Sequence, residues 1–194
     1  MKHDLIAQGI PELLPMDRSG DPTSHISYII RYLCIKLGHF EPDEDTGEPI
    51  DLTLLELGSA WERAVVNALC QRYAETHPDR YLQIGELVKD GLIGTPDLAD
   101  LIDWAILEIK LTKLSLRHDF DSDKFWKYRV QLMAYCYMLG TLKGELHVCH
   151  INGDYKMSRS PVYNVWMVEF TPNELRDNWR MLLTNQKVML REGK

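Results

Sequence analysis

The chain has 194 residues, of which 45% are hydrophobic, so it is long enough to bury the core of one domain. Its formal net charge of −7 argues against a protein that coats nucleic acid with its whole surface, although a local basic site remains compatible with it. The N-terminus carries Asp4, Gln8 and Pro11 and no long apolar run, so neither a signal peptide nor a membrane span is expected.

The first predicted elements are an extended segment and a helix. Residues 1–22 are interrupted by Pro and Gly, which indicates an extended N-terminal segment. Thr23 or Ser24 can accept a hydrogen bond from a free backbone N–H group of a helix, so either can be its N-cap. That helix is predicted to run to about Leu37 and to end at Gly38, because glycine readily adopts the left-handed conformation of a helix end.

An acidic loop separates this helix from a second, longer one. Residues 39–51 contain six Asp or Glu and no Lys or Arg, which predicts an acidic, solvated loop. Asp51 or Thr53 can cap a helix that reaches about Ala74. Apolar residues recur along this helix at helical spacing and predict its core-facing side: Leu54, Leu57, Trp61, Val65 and Leu69.

Three strands are predicted after the second helix. Residues 81–86 and 87–92 have the composition of strands, and Asp90-Gly91 is a turn signal near their junction. Residues 104–111 suit a third strand, in which successive side chains point to opposite faces. One face of that strand is wholly apolar, with Ala105, Leu107, Ile109 and Leu111.

The opposite face of the third strand carries two opposite charges. Glu108 and Lys110 lie two residues apart, so their Cα atoms would be about 6.6 Å apart in a strand. Burying two charges on a hydrophobic face is costly unless they are paired or bound to a metal. Asp97 lies upstream, beyond a turn made by Gly94 and Pro96, so a hairpin could bring it beside Glu108.

A third helix carries a polar stripe on a mostly apolar segment. Asp121 or Ser122 can cap it, and it is predicted to end at about Leu139, before Gly140. Four polar residues fall three or four positions apart and therefore share one face of this helix: Lys124, Lys127, Gln131 and Tyr135. Residues 110–129 hold six Lys or Arg against three Asp, which indicates a basic zone next to the third strand.

Two more strands and a helix complete the chain. Residues 144–151 and 162–170 are predicted strands around a turn at residues 152–154. A last helix is predicted over residues 171–191, and it begins with the cap, proline and capping-box residues Thr171, Pro172 and Glu174. The order α-α-β-β-β-α-β-β-α predicts an α/β fold with a mixed central sheet flanked by helices.

Several of these residues resemble a known nuclease motif. Pro96-Asp97, followed after a short gap by Glu108-Ile109-Lys110, resembles the PD-(D/E)xK nuclease motif. Gly94-Thr95-Pro96-Asp97 is similar to the RecB-type and phage (lambda-type) exonuclease version, in which a glycine precedes the aspartate. Gln131-Leu-Met-Ala-Tyr135 resembles the Gln-x-x-x-Tyr signature of RecB-type nucleases. The resemblance implies a restriction-endonuclease-like core in a single nuclease domain over residues 1–194.

The resemblance also implies a divalent cation. Asp97, Glu108 and the backbone carbonyl of Ile109 match the oxygen ligands with which this superfamily binds Mg²⁺, for which Mn²⁺ can substitute. Glu62, on the second helix, resembles the additional glutamate ligand of lambda-type exonucleases. Glu56 on the same helix is the competing candidate, and a surface ion pair is the alternative interpretation of Glu62.

The same resemblance implies roles for Lys110 and for two residues of the polar stripe, Gln131 and Tyr135. Lys110 would hold the attacking water, and a neighbouring cation would lower its pKa so that it could also accept a proton. Gln131 would position Lys110 or a phosphate, and Tyr135 would support it. The residues expected to contact DNA are these two polar residues and three lysines of the basic zone: Lys113, Lys124, Lys127, Gln131 and Tyr135.

With the resemblance, these features predict a Mg²⁺-dependent DNA nuclease, and the resemblance implies products with 5′-phosphate and 3′-hydroxyl ends. An exonuclease is favoured over an endonuclease by the RecB-type signature, with recombination, repair or phage DNA processing as its setting. DNA is the expected partner, no membrane partner is expected, and a homo-oligomer remains an option. The expected location is the cytosol of a bacterium or of a phage-infected host. The alternative is a catalytically silent nucleic-acid-binding or assembly module on the same fold.

Cysteine and histidine predict no further metal centre. The four cysteines are scattered, without a Cys-x-x-Cys pair, so buried reduced thiols are expected. Some CRISPR-associated relatives of the family hold an iron–sulfur cluster whose first ligand lies about where Cys34 does. They need three more cysteines near the C-terminus, and none follows Cys149, so no cluster is expected. His147 and His150 have the chemistry of zinc ligands, but in a strand they would face opposite sides.

Overall fold

The computed structural model describes residues 21–39, 52–151 and 161–193. In these ranges it has the helices α1 (Ile26–Leu37), α2 (Leu52–Tyr73), α3 (Trp126–Leu139) and α4 (Pro172–Glu192). Its strands are β1 (Tyr81–Leu82), β2 (Leu87–Lys89), β3 (Leu92–Gly94), β4 (Leu98–Asp100), β5 (Ala105–Thr112), β6 (Lys143–His150) and β7 (Val162–Glu169). Most of the predicted N-terminal segment, the acidic loop beyond His39 and the turn at residues 152–154 lie outside the described residues.

Five strands form one mixed sheet in the order β1-β4-β5-β6-β7. β5 and β6 are parallel, and the other neighbouring pairs of the sheet are antiparallel. Parallel strands need a crossover connection, which α3 supplies between β5 and β6. β2 and β3 form a separate antiparallel hairpin. The predicted α/β fold, with a mixed central sheet flanked by helices, is confirmed.

Side chains of β5 alternate between the two faces of the sheet, as the sequence predicts. Leu107 and Ile109 pack against α2, where Val66 is buried and Leu69 partly buried in the same cluster. Ile106 belongs to the larger core on the other face, together with buried residues of α1, α3 and α4. α2 therefore covers one face of the sheet, and α1, α3 and α4 cover the other. Burial of apolar side chains on both faces stabilises this arrangement.

The predicted capping box and glycine stops are confirmed at the helix ends. The backbone N–H of Glu174 donates to the hydroxyl of Thr171 at 3.2 Å, and the backbone N–H of Thr171 donates to the Glu174 carboxylate at 2.7 Å. Gly38 and Gly140 end α1 and α3 with φ angles of 69° and 79°. These left-handed conformations strain any residue with a Cβ, which explains why glycine stands there.

The predicted N-cap of α1 is wrong. His25, rather than Thr23 or Ser24, precedes the helix. The carboxylate of Asp21 accepts hydrogen bonds from the backbone N–H of Thr23 at 2.9 Å and from its hydroxyl at 2.8 Å. Thr23 is therefore held in a local turn that leads into a 3₁₀ segment, Pro22–Ser24, before the α-helix begins.

The predicted starts of α2 and α3 differ from the structure as well. Thr53 lies inside α2 rather than before it, and Asp51 lies outside the described residues. α3 begins only at Trp126, because a 3₁₀ turn over Asp123–Phe125 precedes it, and the side chain of Ser122 makes no capping hydrogen bond.

The two strands predicted over residues 81–92 have the wrong boundaries. Asp90 and Gly91 both have positive φ angles, 51° and 80°, and form a tight turn inside the predicted second strand. β4, which the sequence analysis missed, is only three residues long and pairs with both β1 and β5. Arg80 binds Asp100, the last residue of β4, at 2.7 Å and Asp103 at 2.6 Å. Pairing and this ion-pair cluster, rather than local composition, define β4.

The β2–β3 hairpin is fastened to the helical layer by two side chains. The amine of Lys89 donates to the backbone carbonyl of Tyr137 at 2.8 Å and lies 4.3 Å from the centre of its ring. The indole N–H of Trp179 donates to the carboxylate of Asp90 at 2.9 Å.

Among the described helices, none is long and apolar enough to cross a membrane. None of the four cysteines, all of which lie in the described ranges, is in a disulfide bond, and all but Cys70 are buried.

Candidate active site

Asp97 reaches Glu108 through the β4–β5 hairpin. The two strands are antiparallel with Leu98 opposite Leu107, so the same register continues with Asp97 opposite Glu108. The Oδ2 atom of Asp97 accepts a hydrogen bond from the backbone N–H of Ile109 at 2.6 Å. The hairpin expected from the sequence is present, and the charge of Asp97 acts directly on Glu108.

Glu108 and Lys110 form a buried ion pair. The Oε1 atom of Glu108 accepts a hydrogen bond from the Nζ atom of Lys110. The Glu108 side chain is 1% exposed and that of Lys110 is 22% exposed, so solvent reaches the pair from the side of the amine. The second carboxylate oxygen, Oε2 of Glu108, is buried without a hydrogen-bond partner in the described part of the chain. An unsatisfied buried carboxylate oxygen is costly, so this atom favours a further ligand.

Glu62, and not Glu56, joins these residues from α2. Glu62 is half-buried, and the charges of Asp97 and Lys110 act on it. Glu56, six residues earlier on the same helix, is exposed. The structure therefore separates the two candidates that the sequence left open, and it gathers acids from α2, from the turn before β4 and from β5.

Burial and mutual repulsion disfavour the charged forms of these acids. Burial, with the charge of Asp97, raises the pKa of Glu108 to about 8. Burial raises the pKa of Asp97, although Lys110 and the N–H of Ile109 oppose it, and burial and Asp97 raise the pKa of Glu62. Burial by itself lowers the pKa of Lys110, but Glu108 and Asp97 raise it above its ordinary value, so the amine stays protonated.

Tyr135 and Gln131 extend this cluster along α3. The side-chain amide of Gln131 donates to the hydroxyl of Tyr135 at 2.9 Å. Tyr135 is 3% exposed, and burial and the charge of Glu108 raise the pKa of its hydroxyl. Tyr135 thus lies beside the ion pair, and Gln131 lies on its outer, half-buried side. The polar stripe predicted on α3 leads from the surface to the buried acids.

The lysines predicted to contact substrate lie outside the buried cluster. Lys113 is exposed just after β5, and Lys124 lies partly exposed in the 3₁₀ turn before α3. Lys127 is partly exposed on α3, with its amine 5.3 Å from the centre of the Tyr128 ring. Their contact with a substrate remains a prediction.

His147 and His150 have separate partners on the two faces of β6. The Nδ1 atom of His147 lies 2.5 Å from the hydroxyl of Tyr163, and its Nε2 atom lies 3.0 Å from the carboxylate of Glu145. The Nδ1 atom of His150 is 2.8 Å from the backbone carbonyl of Leu114, which can only accept, so this nitrogen donates. The two histidines do not share a ligand.

The acids have the chemistry of a magnesium site without forming a closed one. Within the described ranges, no three His, Cys, Asp or Glu side chains are gathered closely enough to hold a metal ion. Asp97 is engaged by a backbone N–H and one oxygen of Glu108 by Lys110. The partnerless Oε2 of Glu108 and the excess of three carboxyl groups over one amine both fit an added hard cation. The Ile109 carbonyl as a ligand remains a prediction.

The sequence analysis missed two residues that hold the segment after β5. Arg129 donates from Nη1 to the backbone carbonyls of Phe120 and Ser122, and His150 donates to that of Leu114. A β-α-β arrangement predicts that β5 and β6 are neighbours. Their register, in which His150 lies beside Thr112, follows only from the structure.

No protein-family model matches the chain, and no curated protein matches it either. Among solved structures, a phage-related exonuclease from Haemophilus somnus 129PT is similar over 87% of this chain and 83% of that chain, with a TM-score of 0.50 and 11% identity. The chain has the fold of a phage-related exonuclease.

Two further solved structures are similar to the chain. SSO0001 is similar over 94% of this chain and 83% of that chain, with a TM-score of 0.50 and 11% identity. LHK-Exo, an alkaline exonuclease from Laribacter hongkongensis, is similar over 86% of this chain and 83% of that chain, with a TM-score of 0.41 and 15% identity. The similarity to the phage-related exonuclease confirms the predicted resemblance to phage exonucleases for the fold.

Proposed function

We propose that the protein is a Mg²⁺-dependent DNA nuclease, with Mn²⁺ as a substitute ion. The observation that carries the proposal is the buried Glu108–Lys110 pair on β5, with Asp97 across the hairpin and a Glu108 oxygen left without a partner among the described residues. An acid and an amine placed side by side beside further acids suit hydrolysis of an anionic phosphodiester. The exonuclease fold supports the same class of reaction.

The proposed cation would be held by side chains from three elements. Glu62, Asp97 and Glu108 supply carboxylate oxygens, and the backbone carbonyl of Ile109 completes the set. When bound, Mg²⁺ lowers the pKa of water and neutralises charge on the phosphate and the leaving oxygen. The raised pKa values of the three acids reflect an electrostatic cost that a divalent cation would offset.

The remaining roles belong to the amine and to α3. Lys110, protonated and partly open to solvent, donates from Nζ and would orient the attacking water against the phosphate. Tyr135 lies beside Lys110, and its hydroxyl is fixed by Gln131, so together they would limit the positions open to the amine. Gln131 would also contact a phosphate, with Lys113, Lys124 and Lys127 along the DNA.

An exonuclease acting on DNA ends is the more specific form of the proposal. Both the RecB-type signature and the fold of a phage-related exonuclease favour it. Products would carry 5′-phosphate and 3′-hydroxyl ends, and the setting would be recombination, repair or phage DNA processing in the cytosol. The proposed unit is one nuclease domain over residues 1–194, which could act as a homo-oligomer.

The test compares cleavage of linear and closed circular DNA in Mg²⁺, Mn²⁺ and chelator. The wild type should degrade only the linear form and only with metal. Glu108→Gln and Lys110→Met should lower the rate by about a hundredfold or more, since each removes charge from the reacting centre. Glu62→Gln should raise the Mg²⁺ requirement about tenfold. The matched control is Glu56→Gln on the same helix, which should behave as the wild type.

One observation favours the alternative, a nucleic-acid-binding module without turnover. In the described residues the acids do not converge into a ready metal site. That alternative predicts DNA binding that chelator leaves unchanged, with no cleavage of any substrate. Equal cleavage rates in the wild type, Glu108→Gln and Lys110→Met would contradict the nuclease proposal.

A further inference from the structure

The loop that follows β5, residues 113–122, begins three residues after Lys110, is held at both ends and carries the basic residues Lys113 and Arg117. We propose that this loop is a preordered phosphate-binding loop, in which Arg117 contacts the DNA backbone and Arg129 and His150 act as positioning residues. The inference rests on the proposed nuclease function and adds one DNA contact and two positioning residues to it.

The start of the loop is anchored to the end of β6. Thr112, the last residue of β5, accepts a hydrogen bond from the backbone N–H of Ile151 at 3.0 Å, and its hydroxyl accepts one from the N–H of Leu114 at 3.1 Å. His150, which is fully buried, donates to the carbonyl of Leu114. A shift of the backbone of residues 112–114 would therefore break partly buried hydrogen bonds.

The end of the loop is anchored to α3. The guanidinium of Arg129 donates to the carbonyls of Phe120 and Ser122, the latter at 3.0 Å. Phe120 is 8% exposed, with its ring 6.2 Å from that of Trp166 and 5.8 Å from the Arg129 guanidinium. One arginine thus joins two carbonyls of the loop to the helix that carries Gln131 and Tyr135. Both bonds leave the same guanidinium nitrogen, Nη1, whose two hydrogens point to different carbonyls.

The tip of the loop is a turn that faces solvent. The N–H of His118 donates to the carbonyl of Ser115 at 3.2 Å, and the N–H of Arg117 donates to the Ser115 hydroxyl at 3.2 Å. Leu116 is 38% exposed, and Arg117 is exposed. Arg117 therefore stands on a closed turn between the two anchored ends, with Lys113 at the base.

Its position makes the loop suitable for a phosphate near the cleaved bond. Lys113 lies three residues after Lys110 in an extended segment of the chain. Their Cα atoms are therefore about 10 Å apart, at a rise of about 3.3 Å per residue. Neighbouring phosphates of one strand are at least about 3.4 Å apart, which is their rise along the helix axis, so that distance spans three phosphates at most. Because the loop is already ordered, binding would not have to fix its backbone, and the arginine contact would keep most of its strength.

The first experiment measures the affinity of an end-labelled DNA duplex as a function of salt. It uses Ca²⁺ and a Glu108→Gln background so that the DNA stays intact. Arg117→Ala should weaken binding about 3- to 10-fold at low salt and reduce the slope of log K against log salt by about 0.9. The matched control is Arg180→Ala on the exposed side of α4, where the side chain is 78% exposed and 3.5 Å from Asp177. That variant should leave the affinity and slope unchanged.

The second experiment separates positioning from general stability. Arg129→Met keeps the aliphatic stem but removes both hydrogen bonds, so it should weaken DNA binding about as much as Arg117→Ala does. Arg129→Lys should restore part of that loss, because an amine can still donate to one carbonyl. Amide hydrogen exchange of residues 114–122 should rise in Arg129→Met while the exchange of β5 and β6 stays slow.

The outcomes distinguish this inference from the nuclease proposal. If the wild type binds DNA but Arg117→Ala keeps its affinity and salt slope, the loop is not a phosphate contact, and the nuclease proposal is untouched. If Arg129→Met exchanges no faster in the loop, Arg129 is not a positioning residue. Absence of DNA binding by the wild type at every salt concentration would overturn both proposals.

Discussion

Gly94 shows how a single missing side chain shapes the candidate site. A Cβ atom added there would lie 2.6 Å from Cε1 of Tyr135 and 2.9 Å from Cδ1 of Ile26, closer than side-chain atoms can approach. Gly94 ends β3, three residues before Asp97, so the buried tyrosine packs directly on the backbone that leads into the site. The glycine of the motif is therefore a packing requirement: it leaves the space that Tyr135 fills.

The corresponding prediction compares two glycine substitutions. Gly94→Ala should lower the free energy of unfolding by about 1–3 kcal/mol through overpacking, and it should reduce DNA cleavage by displacing Tyr135. Gly58→Ala is the control, because a Cβ atom added inside α2 at that position would meet nothing within 4 Å beyond its own helix. It should raise the free energy of unfolding by up to about 1 kcal/mol and leave cleavage unchanged. Urea titration and a cleavage assay measure both, and similar effects of the two substitutions would contradict this account.

At the scale of single residues, the sequence predicted those parts of the site that depend on local geometry. Glu108 and Lys110 meet because alternate residues of a strand share a face, and Asp97 follows from one hairpin. The choice between Glu62 and Glu56 could not be made from the sequence. Both lie on one helix, and their burial depends on how α2 packs across the sheet.

Helices with capping residues at their ends could be predicted from the sequence, whereas short strands that depend on pairing with other strands could not. α4 begins at Thr171 with its capping box, and α1 and α3 end at glycines, because these signals act within a few residues. β1 and β4 are two and three residues long, too short to show an alternation of apolar side chains. β1 pairs with β4, and β4 pairs with β5. These two short strands are therefore defined by their neighbours in the sheet, which their own sequences do not reveal.

The capping box of α4 supports a prediction about the stability of that element. Thr171→Ala removes the hydroxyl that accepts from the Glu174 N–H, and it should lower the free energy of unfolding by about 1 kcal/mol at neutral pH. Thr171→Ser keeps the acceptor and serves as the control, with an effect well below that of alanine. Chemical denaturation of the two variants and the wild type tests the difference, and equal losses would show that the hydroxyl does not cap the helix.

The same box makes part of the stability pH-dependent. Hydrogen bonds from the side chain and backbone of Thr171 lower the pKa of Glu174 below its ordinary value of 4.5. A group whose pKa is lower in the folded state stabilises the protein above the unfolded pKa and loses this contribution as the pH falls through the folded pKa. The difference in unfolding free energy between wild type and Glu174→Gln should therefore be largest near neutral pH and shrink under more acidic conditions. If this difference in unfolding free energy grew as the pH fell, the carboxylate of Glu174 would not be the stabilising form.

At the scale of the whole molecule, the candidate site joins both sides of the sheet. Glu62 comes from α2 on one face, and Tyr135 comes from α3 on the other. Asp97 and Glu108 come from the sheet between them. A ligand bound to these acids therefore stabilises contacts between the layers as well as its own site, and it favours the folded state of the entire molecule.

Magnesium should consequently raise the temperature of global unfolding. A concentration about 100 times the dissociation constant adds about 2.7 kcal/mol, which corresponds to a shift of about 5–10 °C for a chain of this size. The five tryptophans lie in or beside different elements, so their fluorescence reports the whole fold: Trp61, Trp104, Trp126, Trp166 and Trp179. Chelator should remove the shift.

Variants decide whether that shift comes from the candidate site. Glu108→Gln should abolish it, because it removes the carboxylate whose second oxygen has no partner in the described part of the chain. Glu56→Gln, which changes an exposed acid, should keep the full shift. The sequence between residues 41 and 51 holds six acidic residues, whose negative charge also attracts magnesium and does not depend on Glu108. An undiminished shift in Glu108→Gln would therefore assign the stabilising ion to another part of the chain, and the three acids would lose their role as its ligands.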